Sequence, residues 1–417
     1  MIEHDIKLAE YIRDSFEKTQ YPVGLKAYSA KRQNERTRKV ALILNPLMVY
    51  CLSFQTTTPA VLKETKRVSA LHQVVKESLH FARLNGLATA TELIFGLPFE
   101  TIPSWKTVID QTMAYKFDSI SMNPLWLLKG SDLNRPEIRE QYGYNSKFML
   151  AENAITITKD FISIEVDEIA IASKYYSFDD WNTFLKYQIL ILLFNYFGYG
   201  KELILHALTA GIKCTDLFDH LLTHADQFPV VGEMTTSYTQ HYTRNLFDTK
   251  DALMSFVESH YKTWQNNKEA LVAMSKSRAV FSFVIKYIFD DPKAQVLSEI
   301  ATAIVELSAQ NAQADKIKQT TEFILNLANA MIINPKKDFV PEVELQSLYD
   351  VEGWIKNDYT EPLWNYEHRQ AFTVKLTSRN PVTVRNTINQ DKEQKRTDAF
   401  NFFRYMNSGL MRRYIRC

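Results

Sequence analysis

Over the first 124 residues, amphipathic helical segments alternate with short apolar runs, and no other feature restricts the fold as tightly. Ile2, Ile6, Ala9, Ile12 and Phe16 repeat at the spacing of one helix face, so the chain opens on a helix over residues 1–19 that Tyr21-Pro22 stops. A short strand is expected over 24–30 and a helix over 31–44. The near-continuous apolar run 47–54 fits a parallel strand buried on both faces. Helices over 58–67 and 70–85 follow, the second closed by Gly86, and then a strand over 88–95 leads into Gly96-Leu97-Pro98. A helix over 101–115 and a strand over 118–123 complete the pattern. Alternation of this kind, with short links, predicts a parallel α/β sheet or barrel. Ligand-binding groups in such folds stand at the C-terminal ends of the strands.

After Pro124 the alternation stops. Residues 125–150 read as a connector, and 154–158 and 162–172 as a short hairpin. Helix-period apolar residues mark 179–198, 200–211, 215–225, 248–266, 268–290 and 294–333, with Thr215 and Thr249 as expected N-caps. Only Gly353 and Gly409 lie beyond residue 232, which suits long helices with few tight turns. Residues 334–395 are mixed and polar, and a last amphipathic helix is expected over about 397–414. The expected organisation is a sheet domain over 1–130, a connector with hairpin over 131–176, a helical domain over 177–333 and a mixed tail over 334–417.

A net charge of +1 gives no overall field toward nucleic acid or an anionic membrane, so neither is an expected partner. The longest apolar stretch, 187–197, is too short to span a bilayer and reads as a buried helix. The amino terminus is charged and amphipathic rather than a signal peptide. Cys51, Cys214 and Cys417 stand too far apart in sequence for a disulfide framework or a CxxC clamp. A reducing, cytoplasmic setting is expected.

The residues that carry chemistry lie where the expected strands end. Gln55 closes LMVYCLSFQ, Arg67 follows twelve residues later in VLKETKR, and Glu92 comes twenty-five beyond that in ATATELIFGLPFET. This order resembles the radical SAM superfamily, and most closely its cobalamin-binding group. Tyr21-Pro22, Ala30-Lys31, Asn34-Glu35-Arg36 and the segment SISMNPLWLLKGSDL agree with it in order. The resemblance covers about residues 1–175. It implies strands three to six of a partial (β/α) barrel, followed by a mostly α-helical C-terminal domain. It also implies a partial site for S-adenosyl-L-methionine. Gln55 and Arg67 would hold the methionine carboxylate, for which a planar guanidinium is suited. Glu92 would accept from the ribose hydroxyls or the methionine amine. The backbone around Ser121 to Pro124, Asn123 included, would lie along the adenine. Gly96, Leu97 and Pro98 would form a turn that brings the main chain close to the cofactor.

The chain also departs from that family. The CxxxCxxC loop that ligates a 4Fe-4S cluster is absent, and the three cysteines cannot replace three thiolates presented by one short loop. The second-strand motif and the Asp-x-His of a cobalamin domain are absent too, so ligands for cluster and cobalamin are not supplied here. Phe99 stands where the family's turn has glycine. The expectation is an N-terminally truncated fragment, inactive alone and poorly soluble. The alternative is a non-catalytic interaction module, or half of a split enzyme completed by a partner chain carrying the missing barrel half. His220 and His224, spaced i, i+4, could share a helix face toward a metal but lack a third ligand. The basic run 31–39 reads as a solvated helix face.

Overall fold

Helix caps and buried apolar faces build the chain in the order its pattern suggests. A computed structural model describes residues 2–19, 21–22, 25, 34–45, 47–66, 71–157, 160–266, 283, 285–289, 293–334, 339–378, 384 and 413–415. The chain divides into two units, Met1–Leu125 and Trp126–Cys417.

In the first unit, helix α1 (Ile2–Thr19) packs on α2 (Glu35–Leu44). The Asn34 side chain starts α2 by accepting the Thr37 N–H at 2.9 Å, so one of the orphan donors of the first turn is satisfied. Strand β1 (Tyr50–Cys51) leads through α3 (Pro59–Glu64) and α4 (Leu71–Leu84) to β2 (Thr89–Phe95). Helix α5 (Ile102–Ala114) then leads to β3 (Ser119–Pro124). The three strands form one parallel sheet in chain order, which requires the helical crossovers that the alternation supplies. Single parallel bridges, Leu25 to Met48 and Gln55 to Leu93, extend it. The expected strand over 47–54 thus pairs as a strand only at Tyr50–Cys51, with lone bridges at Met48 and Gln55. Of the expected strand 24–30, all but Leu25 lies outside the described residues. The fold is α/β, and the described strands form an open sheet rather than a closed barrel.

One face of this sheet is the core. Thr89, Thr91, Leu93 and Phe95 on β2 are buried, as are Ile120 and Met122 on β3 and Tyr50, Leu52 and Phe54 around β1. Helix α5 lays Trp105, Val108 and Ile109 into the same core, with the Trp105 ring edge-on to Phe95 at 5.5 Å. Burial of each such side chain stabilises by roughly 1.5–3 kcal/mol. Thr101 and Ser104 begin α5 with a reciprocal cap: Thr101 N–H donates to Ser104 Oγ at 2.9 Å and Ser104 N–H to Thr101 Oγ1 at 3.3 Å.

The second unit begins with α6 (Pro136–Tyr142) and an antiparallel hairpin of β4 (Asn145–Ile157) and β5 (Ile162–Ala172). The hairpin is longer than expected, since β4 starts inside the predicted connector. Helices α7 (Phe178–Ile191), α8 (Lys201–Thr209), α9 (Cys214–Thr223), α10 (Pro229–Arg244) and α11 (Lys250–Asn266) follow. A buried π-helical turn, Leu192–Tyr196, closes the apolar stretch after α7. Thr249 caps α11 as expected, accepting the Ala252 N–H at 3.0 Å. Thr215 does not cap α9: Lys213 occupies that position and Thr215 is buried in the first turn. Most of the predicted helix 268–290 lies outside the described residues.

The predicted helix 294–333 is two helices, α12 (Lys293–Leu307) and α13 (Ala314–Met331). Beyond them β6 (Glu342–Tyr349), α14 (Val351–Lys356), β7 (Glu367–Ser378) and β8 (Arg413–Ile415) form a three-stranded antiparallel sheet with its helix. Arg413 and Tyr414 therefore belong to a strand and not to a terminal helix, because Ser378 and Thr377 of β7 pair with them. Residues 397–412 of that predicted helix lie outside the described residues. No helix among the described residues is long and apolar enough to cross a membrane.

Candidate functional site

The sheet of the first unit has a second face, and it is polar. Side chains alternate across a strand, so the residues between the buried ones share this face. They are Ala90, Glu92 and Ile94 on β2 and Ser119, Ser121 and Asn123 on β3, all half-buried. The parallel register sets Glu92 beside Ser121 and Ile94 beside Asn123. On the other flank, Cys51 pairs with Ala90, and Ser53 donates to Glu92 Oε2 at 3.4 Å. The Cys51 Sγ lies 3.2 Å from Ser53 Oγ. A carboxylate between two serines, with an asparagine one step toward the strand ends, forms the C-terminal part of this face.

Gln55 stands at the rim above it. Its N–H donates to Glu92 O at 3.0 Å and its carbonyl accepts the Ile94 N–H at 2.9 Å. Its φ of 71° lies in the left-handed region, which costs a residue with a Cβ roughly 1–2 kcal/mol. The cause is a slip in register. Cys51 faces Ala90, yet Gln55 bridges Leu93, so β1 uses one more residue than β2 to reach the rim. Such an extra residue re-aims the side chain that follows. The Gln55 Oε1 is buried and takes no hydrogen bond from the described residues. Arg67, the expected partner of Gln55, lies outside the described residues.

The turn after β2 is built on Gly96, whose φ of 97° excludes an ordinary side chain. Leu97 and Pro98 are buried behind it. Phe99 takes φ 66°, so it occupies the left-handed conformation that a glycine would adopt without strain. The turn therefore forms despite that substitution. It ends at Glu100, which is fully buried and accepts hydrogen bonds from Thr56 Oγ1 (3.0 Å), Thr58 Oγ1 (2.8 Å) and Ser104 Oγ (2.6 Å). Burial pushes its carboxyl above the ordinary range, and the three hydroxyls pull the other way. Ser53 and Glu100 escaped the reading of sequence. Ser53 could have been found from its period-two spacing to Gln55. Glu100 could have been found as an acid set directly before a helix cap.

The polar face offers acceptors and small donors that suit a ligand carrying hydroxyls, an ammonium or a carboxylate. A nucleoside bearing an amino acid has all three, and the described residues fit such a molecule in part: Glu92, Ser53, Ser121, Asn123 and the unsatisfied Gln55 amide can each take a bond from it. A 4Fe-4S cluster is not fitted. Among the described residues no three His, Cys, Asp or Glu side chains group to hold a metal. Cys51 lies on the polar face, whereas Cys214 is buried in the second unit.

His220 and His224 do come together, ring centres 4.5 Å apart, but each has a structural use. His220 Nε2 meets Glu306 Oε2 at 2.8 Å, and His224 Nδ1 lies 2.9 Å from the His220 carbonyl at the end of α9.

No family model matches the chain. Over 148 residues, 34% of its length, the chain is 29% identical to the cobalamin-dependent radical SAM methyltransferase TokK of Streptomyces tokunonensis. The matched stretch spans only 22% of that protein. A likeness of this extent points toward the radical SAM family and no further.

Proposed function

We propose that the Met1–Leu125 unit is part of the S-adenosylmethionine site of a radical SAM protein of the cobalamin-binding type, and that the cluster ligands come from residues outside these 417. The observation that carries this reading is the row of Ser53, just past β1, with Glu92 on β2 and Ser121 on β3, and Gln55 at the rim. Likeness to a radical SAM methyltransferase supports the same family.

In this reading Glu92 accepts from the ribose hydroxyls or the methionine ammonium. The Gln55 carboxamide and Arg67 hold the carboxylate. Asn123 and the main chain beside it line the adenine, and the Gly96, Leu97, Pro98 turn lets the backbone approach closely. S-adenosylmethionine brings the reactive sulfonium; the side chains bind and orient it. Reductive chemistry then requires a partner that carries the cluster, and methyl transfer would further require cobalamin.

Equilibrium dialysis of the full chain against labelled S-adenosylmethionine tests the proposal. Saturable binding is expected, weakened at least about tenfold, or about 1.4 kcal/mol, by Glu92→Ala. Binding that ignores Glu92→Ala, or no binding, overturns it. Anaerobic reconstitution with iron and sulfide tests the second half. A stable thiolate-bound cluster on this polypeptide alone would contradict an external source of ligands.

A further inference from the structure

Among the non-glycine residues that hold left-handed backbone in the first unit, which include Lys66 and Lys116, Gln55 with φ 71° and Phe99 with φ 66° stand at neighbouring turns. Each directly precedes one end of the same hydrogen bond, from Thr56 Oγ1 to Glu100 Oε2 at 3.0 Å. Strained backbone persists only where its surroundings over-determine it. Here the surroundings are a single fully buried carboxylate. Its Oε1 accepts from Thr58 and Ser104 at 2.8 and 2.6 Å, and its Oε2 from Thr56. Thr56 Oγ1 in turn accepts the Thr58 N–H at 3.1 Å, so the whole turn after Gln55 is tied to one acid.

We infer that Glu100 is a positioning residue: through Thr56 and Thr58 it holds the turn that aims the Gln55 carboxamide toward the ligand. The inference rests on the proposed S-adenosylmethionine site for the identity of that ligand. A carboxylate suits the task because it accepts on both oxygens and donates from neither. A glutamine of the same shape must turn one NH2 toward hydroxyls that are already donating, whichever way its amide lies. Burial raises the Glu100 carboxyl and the Ser104, Thr58 and Thr56 hydroxyls lower it, so its effect on the turn runs through those three hydrogen bonds.

The test uses the full chain and Glu100→Gln, with Thr58→Val as a milder second variant should the first fold poorly. Residue-resolved hydrogen exchange reads the turn without any ligand. The Gln55 and Thr58 amides are expected to exchange about tenfold faster in either variant, the loss of one charged hydrogen bond. The Leu125 amide, bonded to Phe95 O at 2.8 Å and outside the network, is expected to be unchanged. Unchanged exchange at Gln55 and Thr58 overturns the inference.

Affinity for S-adenosylmethionine then separates positioning from general support. Glu100→Gln is expected to weaken binding in the native background and to have no further effect once Gln55→Ala is present. Equal weakening in both backgrounds would mean that Glu100 does not act through Gln55, and would also overturn the inference. If the native chain binds no S-adenosylmethionine, the cofactor reading fails by itself, while the exchange comparison still decides whether Glu100 holds the turn.

Discussion

His206, in the second unit, is fully buried with its Nε2 between Thr321 Oγ1 at 3.1 Å and Thr320 Oγ1 at 3.2 Å; Glu92, in the first, is half-buried between Ser53 and Ser121. Both threonine hydroxyls spend their hydrogens on helix carbonyls, Thr320 on Lys316 O at 2.7 Å and Thr321 on Ile317 O at 2.6 Å. The imidazole must then donate from Nε2, which makes it a neutral strut between α8 and α13. Other polar groups of this unit are spent in the same way. Tyr238 donates to the buried Gln188 Oε1 at 2.8 Å, and Glu299 accepts the Val230 and Val231 N–H groups at 3.0 and 2.8 Å at the start of α10. Buried amide oxygens that take no bond from the described residues occur in both units, on or beside helices at Asn182, Asn195 and Asn329 in the second and at Gln55 in the first. The first unit differs in setting its own at a strand end, on left-handed backbone and beside the half-open Ser53, Glu92 and Ser121. Sealed polar groups specify packing, whereas half-open ones can serve a ligand.

The contrast can be broken most forcefully at Trp181. It is completely buried, stacked on Phe178 and edge-on to Tyr242. Trp181→Ala should cost about 3–5 kcal/mol in urea denaturation. A loss under about 1 kcal/mol would mean that the second core is not closely packed.

His206 gives the next largest effect, as a function of pH. Burial holds its pKa down from 6.5 to about 4. The folded state therefore resists a proton that the unfolded chain accepts. Stability is complete above pH 6.5 and falls as the pH drops toward 4, by about 3 kcal/mol in all. His206→Gln should remove this component, so the gap in stability between native and variant narrows on acidification. A gap independent of pH would show that the imidazole is not sealed.

At Gln55 the expected sign reverses. Gln55→Gly relieves the left-handed strain and should stabilise the chain by up to about 1 kcal/mol while weakening S-adenosylmethionine binding. Stability lost together with binding would argue that the residue serves the fold and not a ligand. The smallest effect belongs to Glu137, whose ion pair with Arg135 is exposed. Glu137→Gln should leave the denaturation midpoint unchanged, and a measurable shift would contradict the view that only buried polar groups matter here.

The elements of the first unit were legible because each carries local signals. Thr101 and Ser104 cap α5, Gly86 ends the link to β2, and the period of apolar residues changes from helix to strand at each boundary. Helix α10 was missed because GEMTTSYTQHYTR opens on a glycine and is rich in threonine and tyrosine, poor helix formers that its packed neighbours and Glu299 compensate. The break between α12 and α13 has neither glycine nor proline to announce it; residues 308–313 turn through Asn311 N–H to Ser308 O at 2.8 Å. Strand β6 does alternate, but Glu342, Glu344 and Gln346 face solvent and its partner β7 begins beyond α14, so nothing local reveals the pairing. In the site, Gln55 and Glu92 were legible from their order along the chain, and the structure brings them onto adjacent rungs, with Glu92 at the middle of β2 rather than at its end. The register slip that strains Gln55 was not, because it arises between strands rather than within one.

Hydrogen exchange of the full chain with and without S-adenosylmethionine tests the site most directly. Slowed exchange is expected within residues 50–55, Thr89–Phe95 with Gly96, and Ser119–Pro124, with the helices of the second unit unaffected. Protection that falls on those helices, or nowhere, would contradict a ligand-binding role for the polar face of the parallel sheet.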